Sequence, residues 1–596
     1  MNTPTKINTN NHCVVLDGDL GVFSAAFTHQ RLEAGLDLIV LTLSAPAPAC
    51  PPKLSLRWTH PVIDIHAMWH PNIGRNRGLS PNWSNSILTS SATQNAPVLC
   101  LHSLDGGNRL CVACSDALNT VTFNAGVVEE TAEFSCALGL FSDPQAPIVR
   151  YEITVRLDTR ALPYNEALKQ VQEWWSSLPG MTPASVPECA RLPMYSTWYS
   201  FHQNLVPSEI EAQCRLAKEL GCEAVIVDDG WQNSDSKRGY ASCGDWAPSA
   251  ARFPNIKGHV SNVHALGMKF LLWYALPLVG KDSHAFKRFD GKLLSFDEHL
   301  GAGIFDPRFP DVRQFLTETC EHAMQAWDLD GFKLDFVDCF HPSRSTQSAR
   351  EQTGGGRDFE SILEAADSLL ANIIQQLRRI KPAVMIEFRQ RYIGPLMRKY
   401  GNMLRAGDCP NDAMANRIKT LDIRLLCGNT AAHADMLMWH PHDPVESTAL
   451  QFLNVLFSVP QISVRLDKIP AQQVEMLKFW MGFWRQHRDA LLDGTLQPLH
   501  PESLYPVVFA SAKNKRIAVV YDESVANPGA AIPKEFLIVN ATRSPRVVIE
   551  VDEHLGGRRL EIFNCQGQKI KDENRRFAIG AHSLPVPSAG LGRITP

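Results

Sequence analysis

From Met194 onward the sequence alternates between short apolar runs of strand character and longer segments whose apolar residues recur at helical spacing. The runs are MYSTWYS, EAVIVDDGW, KFLLWYALP, GFKLDFVD, AVMIEFRQ, NMLRAGD, DMLMWHP and QISVRL, eight in all. Between them lie segments such as SEIEAQCRLAKEL, RDFESILEAADSLLANIIQQLRRI and DAMANRIKTLDIRLLC. Parallel neighbours in a sheet need a crossover, usually a helix, so strand and helix must alternate. Near-continuous apolar runs are what strands buried on both faces require. Eight such units over 191–490 predict a (β/α)8 TIM barrel. A doubly wound nucleotide-binding sheet is disfavoured, because no glycine-rich phosphate loop follows the first run.

Outside this block the apolar period drops to two. Residues 1–170 carry short alternating segments (LDLIVLTLSA, NTVTFNAGV, PIVRYEITVRLDT) broken by Pro, Gly and Asn, which predict an N-terminal β-sandwich. An amphipathic helix beginning near Tyr164 and a Pro-rich stretch fill the passage to the barrel, with 171–190 as helix and linker. Residues 497–596 alternate again (RIAVVYDES, EFLIVNA, RVVIEVDE), the pattern of a C-terminal antiparallel β-domain. Lys plus Arg number 58 against 62 Asp plus Glu, a net charge of −4, so no positive field gathers nucleic acid. The N-terminus is polar and no run of about 20 apolar residues occurs, so a membrane is not expected as a partner. Fifteen cysteines scattered through apolar runs fit a reducing compartment and predict a cytoplasmic address. The single Cys-x-x-Cys, Cys111 to Cys114, lies on a segment of period two that points the thiols to opposite faces, and reads as structural. No oligomeric state is specified.

In a barrel of this kind the working residues stand at the C-terminal ends of the strands. Those ends are rich in charge: Asp228, Asp229 and Trp231 after the second run, Lys333 and Asp335 on the fourth, Glu387 and Arg389 on the fifth, Arg405 and Asp408 on the sixth. In FKLDF the period of two puts Lys333 and Asp335 on one face, where the ammonium can keep the carboxylate ionised, as a nucleophile or as a structural ion pair. Asp408 precedes a helix and can face Asp335 across the mouth; Asp412 fits a helix-entry residue better. Two carboxyls, one ionised and one protonated, are what glycoside hydrolysis uses, about 5 to 5.5 Å apart when the configuration is retained. Asp228-Asp229-Gly230-Trp231 offers paired acceptors for vicinal hydroxyls and an aromatic face for a sugar ring. His433, Asp435, His440, His442 and Asp443 lack the spacing of a hydrolytic zinc site and read as a strand end running into a turn.

Taken in order, these motifs resemble those of glycoside hydrolase family 36, the melibiase or α-galactosidase family of clan D, which also contains raffinose and stachyose synthases. The matching stretches are WYSFHQN at 198–204, VDDGWQ at 227–232, GDWAPSAARFPN at 244–255, GMKFLLWY at 267–274, FDPRFPDVRQFL at 305–316, GFKLDF at 331–336 and the stretch 408–417. The likeness covers the barrel, and the flanking domains match in architecture only, as in a divergent short member. It implies Asp335 as nucleophile and Asp408 as acid/base, with Asp412 as the alternative. It implies Asp228 and Asp229 as binders of the axial carbon-4 hydroxyl and its carbon-6 neighbour, Lys333 as a ring-hydroxyl ligand and Trp273 as part of the sugar wall. Trp198, Trp231, Glu387, Arg389 and Arg405 complete the expected sugar-binding set. The implied reaction is retaining hydrolysis of terminal α-galactosides through a glycosyl-aspartate, on a small or oligomeric sugar and with no cofactor.

Two departures stand out. Where the family has a Cys-Ser-x-Gly-Gly turn that receives the carbon-2 hydroxyl, this chain has IEFRQRYIGP, with Glu387 and Arg389 on one strand face. Arg389 can take a substituent or acidic group, or pair with Glu387. Around Asp408, Pro410 and Asn411 separate the two aspartates. The alternatives to a galactosidase are therefore a glycosidase for a sugar substituted at carbon-2, a galactosyl transferase of the raffinose-synthase type, and a non-catalytic sugar-binding protein.

Overall fold

The structure is a computed structural model and describes residues 5–84, 87–234, 236–346, 355–529 and 534–596. Eight parallel strands form its centre: β1 Met194–Ser196, β2 Ala224–Val227, β3 Lys269–Ala275, β4 Gly331–Asp335, β5 Met385–Arg389, β6 Met403–Arg405, β7 Ala431–His433 and β8 Gln461–Ile462. Each pairs in parallel with the next from β1 to β7, and β8 pairs with β1. Parallel bridges from His433 to Val459 and from Leu437 to Ile462 close the ring between β7 and β8. The helices that follow the strands are α1 Pro207–Glu219, α2 Ile256–Ala265, α3 Pro310–Trp327, α4 Ile362–Ile380, the single turn α5 Met397–Tyr400, α6 Ala413–Arg424, α7 Val445–Leu453 and α8 Ala471–Gln486. The fold is the multidomain TIM barrel expected.

The seventh strand is not DMLMWHP but the three residues Ala431 to His433 just before it. AAH is too short to show a period. DMLMWHP is apolar because it packs as a mouth loop, with Met436, Leu437 and Trp439 all buried. α4 shows how local chemistry places an element. Ser361 caps it by accepting the Glu364 N–H, Leu369, Ile373 and Leu377 turn inward, and Arg378 and Arg379 sit in the last turn, where the dipole favours cations.

Inside the barrel, Met194, Ala224, Ile226, Leu271, Met385 and Met403 form an apolar plug at the N-terminal end of the strands. Lys333, Asp335, Glu387, Arg389 and Arg405, on the strands of this sheet, lie beyond the plug toward the C-terminal mouth. Between β3 and α3 a three-stranded antiparallel sheet (Leu278–Gly280, Leu293–Asp297, Ala302–Phe305) is inserted. Before the barrel, two six-stranded sheets span Lys6 to Asp158; after it, a seven-stranded and a three-stranded sheet span Thr495 to Thr595. All three parts meet at one buried polar junction. There Trp69 and Arg77 of the first part and Tyr505 of the last all bond to Asp422 of α6. Among the described residues no helix is long and apolar enough to cross a membrane.

Candidate active site

Asp335 ends β4, and nearly every lone pair of its carboxylate is occupied. Oδ1 accepts from Arg389 Nε at 2.6 Å, Tyr392 Oη at 3.0 Å and the Phe336 N–H at 2.7 Å; Oδ2 accepts from Trp273 Nε1 at 3.0 Å. Phe336 adopts a left-handed φ of 61°, which turns its N–H back onto the carboxylate, a costly conformation for a bulky residue. Burial by itself would raise the proton affinity of Asp335. Arg389, then Lys333 and Arg405, outweigh it and hold the group well below the usual carboxylate range. The compensating cation is thus chiefly Arg389 rather than Lys333. Lys333 sits 2.6 Å from Asp228 and 3.9 Å from Asp335.

The β2 turn supplies the neighbouring wall. Gly230 has a φ of 117°, and a Cβ there would lie 2.8 Å from the backbone of Gln203, so only glycine permits the turn. Asp228 accepts from Lys333, and its own N–H is held by Thr197 Oγ1. Asp229 lies between two amides, Gln203 Nε2 and Gln232 Nε2, each at 2.7 Å. Burial raises it to about 6 against those hydrogen bonds.

Asp408 follows β6 and faces outward, its side chain half exposed. Arg405 Nη2 donates to it at 3.0 Å and Nη1 donates to Asp435 at 2.6 Å, while Glu387 Oε1 lies 3.3 Å from Arg405 Nε. Burial opposes ionisation of Asp408, but Arg405 and Lys333 outweigh it and lower its proton affinity. Glu387 and Asp435 move the other way: both are fully buried, and desolvation raises them despite Arg405. A cavity of about 460 Å³ opens above this layer. Asp408 and Arg389 lie at its inner end, and the N-terminal loop around Pro71 and Asn72 closes one side.

Several expected contacts are revised by this geometry. Trp231 does not face the cavity: it is fully buried between Trp246, Tyr274 and Trp327, with Nε1 donating to the Trp273 carbonyl, because the turn at Gly230 swings it outside the barrel. Glu387 is not paired with Arg389. It lies deeper, bonded to Gln461 and beside Arg405, and has no exposure to a sugar. Arg405 is likewise an interior counter-ion, its guanidinium engaged by Asp408, Asp435 and Glu387. Asp412 caps α6 by accepting the Ala415 N–H and pairs with Arg75, which leaves Asp408 as the carboxyl at the inner end of the cavity. Trp198 stands at the mouth, stacked on His202 at 3.9 Å. His433 ends β7, and its ring bonds the Ala190 carbonyl.

Sequence reasoning missed Tyr392, Tyr240 and Asp338, and read Asp435 only as part of a strand end running into a turn. Tyr392 reaches Asp335 from the loop after β5, a contact that no spacing rule foretells. Asp435 binds Arg405, Tyr199 and the Cys409 N–H together, and its place after β7 was hidden by the misplaced strand. Tyr240 stacks over Trp273 and packs edge-on to Phe336. Asp338, one turn past Asp335, lines the cavity with a buried oxygen that has no hydrogen-bond partner among the described residues.

Known proteins resemble this chain over part of its sequence and across its fold. A family model described as Melibiase matches residues 191–387. The α-galactosidase of Escherichia coli is 32% identical over 185 residues, covering 28% of this chain and 24% of that protein. An A type blood α-D-galactosamine galactosaminidase of Flavonifractor plautii is 26% identical over 156 residues, 22% of this chain and 14% of that one. The chain thus aligns with less than a quarter of the length of these curated relatives. Among solved structures, the GH36 α-galactosidase AgaA of Geobacillus stearothermophilus, in complex with 1-deoxygalactonojirimycin, superposes with a TM-score of 0.67 at 15% identity, covering 99% of this chain and 84% of that one.

Proposed function

We propose that this chain is a GH36 α-galactosidase-like protein that hydrolyses terminal α-galactosides with retention of configuration. The single observation that carries the reading is Asp335, a buried carboxylate at a barrel strand end, held ionised by Arg389 and hydrogen-bonded by Trp273 and Tyr392. A carboxylate so placed is pre-set to attack an anomeric carbon, since Arg389 keeps it charged and four donors fix its aim. Asp408 is the acid/base: it protonates the departing oxygen, then takes a proton from the water that opens the glycosyl-aspartate. Asp228 and Asp229 accept hydrogen bonds from sugar hydroxyls, with Lys333 oriented by Asp228, and Trp273 forms the floor of the sugar site. The names of the relatives support galactose as the sugar.

A second reading has its own observation. Arg389 fills the place of the family's carbon-2 turn, with Nη1 tied to the Gln390 carbonyl, so a sugar with a carbon-2 substituent is the alternative substrate. The galactosaminidase among the relatives fits that variant.

Asp335→Gly with added azide tests the core claim. Hydrolysis of 4-nitrophenyl α-galactoside is expected to fall by about a thousandfold or more, and azide to restore turnover with β-galactosyl azide as product. Retained activity in Asp335→Gly, or an α-configured azide, sinks the nucleophile assignment.

A further inference from the structure

We infer that the leaving group of the substrate carries an anionic group, bound by Arg344, Arg391 and Lys419 on the outer wall of the cavity. This rests on the glycosidase reading above and narrows its substrate class. The cavity begins at Asp408 and at Arg389, the residue that touches Asp335, and runs outward to the N-terminal loop. Its space is therefore on the far side of the scissile bond from the buried wall of Asp228, Asp229 and Trp273. That is where a leaving group sits.

The charges lining this space do not cancel. Arg344, Arg389, Arg391 and Lys419 line it, against Asp338, Asp408 and Asp422. Three of these seven already have partners of opposite charge: Arg389 is held by Asp335, Asp408 by Arg405, and Asp422 by Arg77 at 3.0 Å. Three cations then remain against one carboxyl. Lys419 Nζ is fixed by the carbonyls of Gly407 and Asp408, neutral acceptors that orient its charge without compensating it. Arg344 and Arg391 are exposed, and among the described residues no hydrogen bond or ion pair engages either guanidinium. The remaining carboxyl, Asp338, whose proton affinity burial raises against the pull of Arg389 and Arg391, supplies one negative charge at most against three cations.

A lone solvated Arg on a surface is ordinary. Three cations against one carboxyl around a cavity of about 460 Å³, in a chain whose net charge is −4, form a local field of the opposite sign to the whole. A neutral aglycone gains little from such a wall. A carboxylate or sulfonate can accept forked guanidinium hydrogen bonds there and is drawn in by the field.

The test compares kcat/KM for 4-carboxyphenyl, 4-sulfophenyl and 4-carbamoylphenyl α-galactosides, the first two charged and the last neutral with a leaving ability close to that of the carboxylate. The wild type is expected to favour at least one charged substrate by about tenfold or more, with the preference shrinking as NaCl rises from about 20 mM to about 500 mM. Arg344→Gln combined with Arg391→Gln is expected to bring the ratio toward unity; both side chains are exposed, so folding is not at stake. Equal kcat/KM for charged and neutral substrates, or a preference that survives the double substitution, overturns the inference and leaves the galactosidase reading standing. No turnover of any of the three by folded protein overturns that reading, and the inference with it.

Discussion

Replacing Arg389 by Gln removes the charge that keeps Asp335 ionised, and the consequence can be worked through. Nε and Oδ1 are 2.6 Å apart, which places the charge centres about 4 Å apart. At an effective dielectric constant near 20 the attraction is about 4 kcal/mol, the equivalent of about 3 pH units. Tyr392, Trp273 and the Phe336 N–H remain, and Lys333 is still 3.9 Å away, so part of the stabilisation survives. The acid limb of kcat/KM is therefore expected to rise by about 1 to 3 pH units. The sign follows from the role: the ionised carboxylate is the active form, so a higher proton affinity costs activity from a higher pH downward. The same change weakens the fold at neutral pH. A carboxyl depressed in the folded state contributes stability above its unfolded value and loses it as pH falls, and without Arg389 that contribution shrinks. Initial rates on 4-nitrophenyl α-galactoside between about pH 3 and pH 8 give the limb, with Arg389→Lys as the charge-retaining control. A limb that stays in place in Arg389→Gln, or moves as far in Arg389→Lys, would falsify the claim that Arg389 keeps Asp335 charged.

Asp408→Ala is expected to lose most of its activity on substrates with poor leaving groups and to be accelerated by azide. Asp412→Ala should cost about 1 kcal/mol of stability through the lost helix cap and leave azide without effect; azide rescue of Asp412→Ala instead would exchange the two assignments. Lys333→Met strands Asp228 without its counter-ion in a site where both are at least nine-tenths buried, a loss of about 3 to 5 kcal/mol. Thermal melting of Lys333→Met and of the double variant with Asp228→Asn reads this: the double variant should recover part of the drop, and no recovery means the pair is not coupled.

The barrel was legible because its demands are repetitive. Each strand had to be apolar on both faces and each helix amphipathic, and those periods appear in the one-dimensional chain at seven of eight places. β7 failed because three residues carry no period, and the apolar residues after it pack for a different reason. The charged strand ends were legible one at a time, since polar residues closing apolar runs have few other uses. Their pairing was not. Lys333 with Asp335, and Glu387 with Arg389, share strand faces and invited the local pairs, yet each residue found its main partner on another strand: Lys333 on Asp228, Arg389 on Asp335, Glu387 beside Arg405. A closed ring brings strands distant in sequence as near as neighbours in one strand, and the spacing rules describe only the latter. Trp231 misled for a related reason. Its motif fixes a turn, and the turn sends the indole outside the barrel.

The charges around Asp408 also constrain the catalytic cycle. An acid/base must hold a proton when the sugar arrives, yet Arg405 keeps Asp408 on the ionised side. Arg405 cannot move to relieve this: it is 1% exposed and pinned by Asp435 and Glu387. What can change is solvent. The Asp408 side chain is half exposed in the cavity, and a neutral sugar seated against it removes the water that stabilises its charge and so raises its proton affinity. Binding and proton uptake are thus linked, and affinity must fall as pH rises above the free-site value. Methyl 1-thio-α-galactoside, neutral and resistant to hydrolysis, isolates the step. Calorimetry in two buffers of different ionisation enthalpy should show up to one proton taken up per site near pH 6 to 7, at most about tenfold weaker binding per pH unit, and loss of most of the uptake in Asp408→Asn. Asp229, raised to about 6, adds its own smaller contribution, which Asp229→Asn removes separately. Binding without proton uptake across this range would mean that Asp408 stays ionised beside the bound sugar, and the proton for the leaving oxygen would have to come from another group on the cavity wall, of which Asp338 is the next candidate.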